Sequence, residues 1–218
     1  MYLLIIMLIS NSRKFIFIHI PKTAGTSIEE SLLPYCSGKK GFVNWLIRRL
    51  VKYVRFPNKQ VFALRTYEAH VTLAEAELLL PGKVIDDYFK FAVVRNPYDR
   101  FVSFYYHLLK QTTHRWHEYA VKAGSFAGFI EQMKHIPEPS QKHYLMGRYG
   151  NINMDYIIRF EDIQNDYKEV CKKLNIDFNL PVKNTTKHVA YEELYTTKEK
   201  EFVYNLYKED FDAFGYKR

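Results

Sequence analysis

The chain has 218 residues, which is enough for one α/β domain with a sizeable core and too few for two ordinary domains to be expected. Apolar residues make up 47% and charged residues 26%, a balance that excludes an intrinsically disordered chain. The 32 Lys and Arg against 24 Asp and Glu give a formal charge of +8, which favours encounter with anions. The partner classes are therefore a nucleotide, an acidic glycan, nucleic acid or an anionic membrane surface.

The N-terminal segment is apolar but short. Residues 2–9 supply about half of the ~20 apolar residues that a membrane-spanning helix needs, and they lack the basic flank and small-residue cleavage site of a signal peptide. A short strand, a packed extension or a mis-assigned start are the alternatives. We predict an N-terminal extension over residues 1–14 and a single domain over residues 15–218. Cys36 and Cys171 have no metal-ligand spacing and predict no disulfide framework, which fits a reducing compartment.

Two units with the order strand, loop and helix follow along the chain. Residues 15–20 (FIFIHI) and 89–94 (FKFAVV) are short runs rich in β-branched and aromatic residues, and each run leads into a proline-containing loop. Helical spacing then begins at residues 25–33 and 98–110. Both runs are therefore predicted to be buried strands that end in a loop before a helix.

Further elements are predicted from weaker patterns. The predicted strands are residues 60–65 and 156–160, and the predicted helices are residues 73–80, 126–134, 161–174 and 197–209. This alternation indicates an α/β, P-loop-like three-layer fold in which helices flank a central parallel β-sheet. Ligands bind such folds at the carboxyl ends of the strands. The basic residues 45–55 favour an amphipathic surface helix over a dedicated membrane or polyanion patch.

The first loop, residues 21–27 (PKTAGTS), lies between a predicted strand and a predicted helix. At a helix N-terminus the backbone N–H groups and the helix dipole converge on an anion, and glycine allows close approach. The alternative without a ligand is a turn capped by hydroxyl side chains. Lys22 precedes Gly25, whereas in a Walker A loop the lysine follows the last glycine, and no acidic residue occupies a clear Walker B position. The candidate phosphate ligands are Lys22, Thr23, Ala24, Gly25, Thr26 and Ser27.

The second loop and helix start, residues 95–103 (RNPYDRFVS), also follow a strand. Arg95 is placed to bind a phosphate through two N–H groups, and Ser103 lies two turns into the helix, where its hydroxyl can meet the same phosphate. Asp99 and Arg100 are expected to tie the helix N-terminus to its surroundings rather than to contact a ligand. Two anion sites at neighbouring strand ends suit a ligand with phosphates at both ends.

These two motifs, with His70 between them in the sequence EAHV, resemble the carbohydrate sulfotransferases that use 3′-phosphoadenosine 5′-phosphosulfate (PAPS). The most similar branch contains the heparan sulfate 2-O- and chondroitin 4-O-sulfotransferases and their bacterial relatives. The resemblance implies that the first loop binds the 5′-phosphosulfate, that Arg95 and Ser103 bind the 3′-phosphate, and that 3′,5′-diphosphoadenosine (PAP) is the product. It continues more loosely through residues 141–145, 158–162, 184–187 and 214–216.

Catalytic roles follow from this resemblance and from chemistry. His70 is the expected general base, because a neutral imidazole can take the proton of an acceptor hydroxyl. His19 and Glu68 are the competing candidates for the base. Lys22 is expected to stabilise charge on the departing 5′-phosphate oxygen. Lys187 is a further candidate for the 3′-phosphate, with a solvated loop lysine as the equally weighted alternative, and no metal is expected.

The resulting functional prediction is transfer of a sulfuryl group from PAPS to a hydroxyl acceptor, with a glycan as the expected acceptor. Vertebrate members of the family carry a membrane anchor that we do not find in this sequence. We therefore expect a cytoplasmic bacterial enzyme, and this expectation is compatible with peripheral contact with a membrane. A small-molecule or nucleoside kinase of the P-loop class is the enzymatic alternative. A non-catalytic polyanion-binding module is the second alternative and depends on charge alone, since no nucleic-acid-binding motif is present.

Overall fold

The computed structural model of the chain describes residues 7–36, 70–133, 139–181 and 190–218. Within these ranges one sheet has the strand order β1-β2-β3-β4. Its strands are β1 (Leu8–Ser10), β2 (Phe15–Ile18), β3 (Phe89–Val94) and β4 (Tyr156–Arg159).

Helices fill most of the remaining described chain, together with short 3-10 turns at Leu33–Tyr35 and Phe160–Asp162. The helices are α1 (Gly25–Leu32), α2 (Leu73–Leu79), α3 (Gly82–Asp87), α4 (Pro97–Lys110), α5 (His117–Lys122), α6 (Phe126–Met133), α7 (Gln141–Leu145), α8 (Ile163–Leu174), α9 (Tyr191–Leu194), α10 (Thr197–Leu206) and α11 (Lys208–Phe214).

The three strands β2, β3 and β4 are parallel. Ile18 of β2 pairs with Ala92 of β3, and Val94 at the end of β3 pairs with Arg159 at the end of β4. Their carboxyl ends therefore lie at one edge of the sheet, where the first and second loops begin. This confirms the predicted central parallel sheet, to which β1 adds an antiparallel edge strand through residues that include Leu8, paired with Phe17.

Helices cover both faces of the sheet, as expected from strands that are apolar on both sides. One face packs against α2, α3 and α7, and the other packs against α1 and α8. The side chains of β2 and β3 on the first face are Ile16, Ile18, Ala92 and Val94. Those on the second face are Phe15, Phe17, Phe91 and Val93. A separate aromatic cluster forms where α4 packs against α5, α6 and α10. The three-layer arrangement is the predicted one.

Some predicted elements differ in extent. The helix predicted over residues 197–209 is interrupted at Tyr207, which ends α10 and precedes α11. The backbone at Tyr207 leaves the helical region (φ -116°, ψ 25°), and its ring is 2% exposed and lies beneath the Arg100 guanidinium. The helix predicted from residue 161 begins at Ile163 after a 3-10 turn. The predicted strand at residues 60–65 and helix at residues 45–55 lie outside the described residues.

The N-terminal residues contribute to the sheet. Leu8–Ser10 form β1, and Leu8 and Ile9 are buried. The short strand considered for this apolar run is therefore present, although the division of residues 1–14 from the domain stays a prediction. In the part of the chain that the structure describes, every helix is too short or too polar to cross a membrane.

Candidate active site

The backbone of the first loop leads into α1 and leaves the start of that helix accessible to an anion. Lys22 and Ala24 adopt positive φ angles of 69° and 63°, values that non-glycine residues seldom take, and Ala24 is the residue immediately before α1. Among the described residues, no side chain caps this helix start. The N–H group of Ser27 donates to the carbonyl oxygen of Ala24 at 3.0 Å, so Gly25 and Thr26 supply the first-turn N–H groups for a ligand at the positive end of the helix dipole, which is the geometry of a phosphate-binding site.

The hydroxyl side chains of the first loop differ in what they can do. Thr23 is fully buried, and its hydroxyl donates to the carbonyl oxygen of Ile20 at 2.9 Å. Thr23 therefore shapes the loop, because its only hydroxyl hydrogen is used within it. Thr26 is exposed in the first turn of α1, and Ser27 is 5% exposed beside it. Of the three predicted hydroxyl donors, Thr26 is the most accessible to a ligand.

Gly25 allows the ring of His19 to approach the start of α1. A Cβ atom at residue 25 would lie 2.0 Å from both Cδ2 and Nε2 of His19. The same imidazole is held on its other side by Glu29, whose Oε1 is 2.8 Å from Nδ1. Glycine is thus required here by close packing, and Glu29 keeps the ring in place.

His70 lies directly beside the strand end that leads into the first loop. Its Nδ1 is 3.0 Å from the backbone carbonyl oxygen of His19, and the two imidazole rings are edge to face with centroids 4.5 Å apart. A carbonyl can only accept, so Nδ1 carries the proton and Nε2 carries the lone pair. The predicted base therefore has the tautomer that a base acting through Nε2 needs.

Arg95 connects the second loop to the first loop. Its Nη1 donates to the carbonyl oxygen of Lys22 at 3.2 Å, its Nε donates to Asp99 at 2.7 Å, and its guanidinium stacks 4.0 Å from the centre of the Phe160 ring. These bonds use only part of the guanidinium's N–H groups and fix its plane. The carboxylate of Asp99 occupies the Nε side, so a phosphate would meet the Nη groups.

Arg100 was predicted only to tie the start of its helix to its surroundings, but it also joins the two loops. It is 3% exposed, and its Nε donates to the carbonyl oxygen of Pro21 at 3.1 Å. Its Nη1 and Nη2 both donate to the carbonyl oxygen of Pro139 at 3.2 Å. Ser103 is 4% exposed one turn further along α4. The hydrogen bonds of the described residues do not join Ser103 to Arg95 or to the first loop.

Gln141 and Asp210 support Arg95 and were missed as site residues in the sequence. The Gln141 amide accepts from the backbone N–H of Arg95 and donates to its carbonyl oxygen, both at 2.8 Å. The Asp210 carboxylate accepts from the backbone N–H groups of Gln141 and Lys142, each at 2.8 Å. Both side chains are fully buried. The C-terminal helix α11 thus fixes the backbone at the end of β3.

Glu161, which follows β4, also supports the backbone of the second loop. Its Oε1 accepts from the backbone N–H of Asn96 at 2.6 Å, and its Oε2 accepts from the Tyr216 hydroxyl at 3.0 Å. Burial, with the Glu161 charge beside the phenol, raises the pKa of Tyr216 well above its ordinary value. Tyr216 therefore stays a hydrogen-bond donor to Glu161, and the second loop is held between β3 and β4.

Two predicted candidates, Lys187 and Glu68, lie outside the described residues. Across the described ranges, no three His, Cys, Asp or Glu side chains come together as a metal site.

Comparison with known proteins identifies the family. The sequence model of the sulfotransferase family matches residues 7–217, so the chain belongs to the sulfotransferase family. The crystal structure of mouse sulfotransferase SULT7A1 complexed with PAP is similar to this chain, with 14% sequence identity and a TM-score of 0.50. The match covers 94% of this chain and 86% of the mouse chain. No curated protein matches the sequence.

These comparisons confirm the predicted family and fold. At 14% identity the mouse structure bears on the fold alone. The branch within the family, the acceptor and the roles of individual residues stay predictions, to which the geometry of the two loops now adds physical detail.

Proposed function

We propose that this chain transfers a sulfuryl group from PAPS to a hydroxyl acceptor, with the first loop and Arg95 binding the donor and His70 acting as the base. The observation that carries the proposal is the contact of the two loops at one sheet edge, where Arg95 Nη1 meets the Lys22 carbonyl oxygen at 3.2 Å. The family to which the chain belongs and the PAP present in the mouse structure support the choice of donor.

Donor binding is divided between the two loops in this proposal. The 5′-phosphosulfate binds at the start of α1, where backbone N–H groups, the Thr26 hydroxyl and the Lys22 ammonium supply positive potential. Thr23, Ala24, Gly25 and Ser27 contribute through the shape and N–H groups of the same turn. The 3′-phosphate binds Arg95 through its Nη groups, together with Ser103 and Lys187. No metal is needed, because fixed N–H dipoles and cations perform the electrostatic work.

The chemical step needs one base and one stabilising cation. His70 Nε2 takes the proton of the acceptor hydroxyl as its oxygen attacks sulfur, and the sulfur–oxygen bond to the 5′-phosphate breaks on the opposite side. Lys22 stabilises the negative charge that grows on the departing phosphate oxygen. The backbone bond from His70 Nδ1 to His19 supports this role, because it leaves the lone pair on Nε2.

We propose a carbohydrate hydroxyl as acceptor, in keeping with the branch that the two motifs resemble, and a cytoplasmic site of action. The formal charge of +8 favours an anionic or phosphate-linked glycan.

Calorimetric titration tests donor choice against the kinase alternative. We expect PAP to bind in the micromolar range, with no response to ATP and Mg²⁺, and we expect Lys22→Ala and Arg95→Ala to weaken PAP binding. Binding of ATP with Mg²⁺, without any binding of PAP, would contradict the sulfotransferase proposal and support the kinase alternative. A polyanion-binding module predicts tight binding of heparin or nucleic acid that neither substitution changes.

A further inference from the structure

Glu29 is a buried carboxylate that sulfuryl transfer itself does not use. It is 3% exposed on α1, and its Oε1 lies 2.8 Å from Nδ1 of His19. Burying a carboxylate is unfavourable unless a partner compensates it, so this pairing is the reason the group is tolerated. Because a carboxylate accepts hydrogen bonds, Nδ1 of His19 carries a proton.

The position of His19 is fixed from two sides. Glu29 holds one edge of the ring, and the absent Cβ of Gly25 leaves the space that the other edge fills, only 2.0 Å from where that Cβ would lie. Because close-packed groups transmit strain, displacement of this ring would also shift the backbone of His19. The carbonyl oxygen of His19 is therefore held in one direction, at the end of the buried β2.

That carbonyl oxygen is the acceptor for His70 Nδ1 at 3.0 Å. An imidazole without such an acceptor exchanges between its two neutral tautomers, whereas this bond selects the Nδ1–H form. The edge-to-face contact of the two rings, with centroids 4.5 Å apart, orients the His70 ring further. The chain of contacts from Glu29 through His19 to His70 is thus continuous.

We propose that Glu29 and His19 are positioning residues that set the tautomer and orientation of His70. In this proposal they act on His70 through the carbonyl oxygen of His19. This inference rests on the proposed function in one respect, namely that His70 is the base. Its structural part, the tautomer of His70, is measurable without any substrate.

Long-range ¹H–¹⁵N NMR of the histidine side chains in the full chain tests the proposal. The spectrum is recorded at about pH 8, where ordinary imidazoles are neutral, and the His70 signals are assigned by their loss in His70→Gln. We expect the Nδ1–H pattern for His70 in the wild type. Glu29→Met removes the acceptor oxygen at similar side-chain volume and is expected to convert it to mixed tautomers, whereas Glu30→Met, the same change at the exposed neighbouring position, is expected to preserve it. If Glu29→Met does not fold, Glu29→Asp replaces it.

Transfer and binding are measured on the same samples. With an acceptor in hand, Glu29→Met is expected to lower the transfer rate roughly tenfold or more while the PAP dissociation constant changes by less than about threefold. A wild-type His70 in the Nε2–H form overturns the proposal, as does an unchanged tautomer and rate in the folded Glu29 variant. Failure of the wild type to bind PAP would contradict the proposed function instead, and the tautomer result would still decide the inference.

Discussion

The guanidinium of Arg95 donates from Nη1 to the backbone carbonyl oxygen of Lys22 at 3.2 Å, across two loops that are far apart in the sequence. The parallel pairing of β2 with β3 makes this contact possible, because it brings both strand ends to one edge of the sheet. The Arg95 side chain therefore supports the first loop, and it also faces the site as part of the second loop.

Replacing Arg95 is expected to weaken donor binding. Arg95→Ala removes a charged donor and the support of the Lys22 carbonyl, and a charge-assisted hydrogen bond contributes about 1.5–3 kcal/mol. The PAP dissociation constant should rise about 10- to 100-fold in calorimetric titration. Arg115→Ala is the control, since Arg115 is exposed and stacks on Trp116 beyond the end of α4. Equal PAP affinity of Arg95→Ala and wild type would remove Arg95 from the donor site.

Replacing His70 is expected to separate binding from turnover. His70→Gln removes the base and should abolish transfer while PAP affinity stays within about threefold of wild type. His117→Gln is a matched control, because His117 also makes a backbone bond through Nδ1, to the Leu108 carbonyl oxygen at 2.7 Å. Single-turnover transfer measures the rate, and titration measures the affinity. If a His70 variant retains full transfer, His70 is not the base, and His19 and Glu68 remain as the candidates.

Gly25 is expected to be intolerant of even one methyl group. In Gly25→Ala the new Cβ meets the His19 ring, which Glu29 prevents from turning aside. Overpacking of this kind costs about 1–3 kcal/mol, and each kcal/mol lowers Tm by roughly 2–4 °C in a chain of this size. Gly82→Ala is the control, because a Cβ at Gly82 meets nothing within 4 Å. Thermal unfolding of both variants is the measurement, and equal Tm values would mean that the His19 ring is not held as described.

Asp210 is expected to make stability depend on pH. Burial raises the pKa of Asp210 above its ordinary 3.8, while Arg100 and the N–H groups of Lys142 and Gln141 act in the opposite direction. Since the folded state holds the proton more tightly than the unfolded state, the contribution of Asp210 to the free energy of unfolding decreases as pH rises from about 4.

Asp210→Asn tests this sign. The variant loses a carboxylate that accepts two backbone N–H groups and should be less stable than wild type, with a deficit that is larger near pH 4 than near pH 7. Urea unfolding across this pH range measures the deficit. Asp212→Asn, at an exposed position of the same helix, should show no such trend. A deficit that grows with pH would reverse the assigned direction.

The sequence was sufficient for the parts of the fold that local patterns encode. Residues 15–20 and 89–94 combine β-branched and aromatic residues with a following proline, and the structure confirms buried strands there. The antiparallel placement of β1 required knowledge of its partner β2, which a three-residue strand does not reveal. The break at Tyr207 was equally hidden, because no glycine or proline marks it in the sequence.

The supports of the candidate site were less predictable than the loops. Gln141 and Asp210 are 69 residues apart, and their bond exists only because α11 packs beside α7. Glu161 and Asn96 are 65 residues apart and meet through the pairing of β3 with β4. Both acidic residues look like ordinary helix-start charges in the sequence. They stabilise the second loop only because the fold brings them close to it.

Transfer of radiolabelled sulfate from PAPS to an array of hydroxyl acceptors is the most direct test of the account. We expect the wild type to label at least one carbohydrate acceptor and to release PAP in equal amount, and we expect neither Lys22→Ala nor His70→Gln to do so. Absence of label on every acceptor, together with transfer of the terminal phosphate of ATP, would contradict the proposed function.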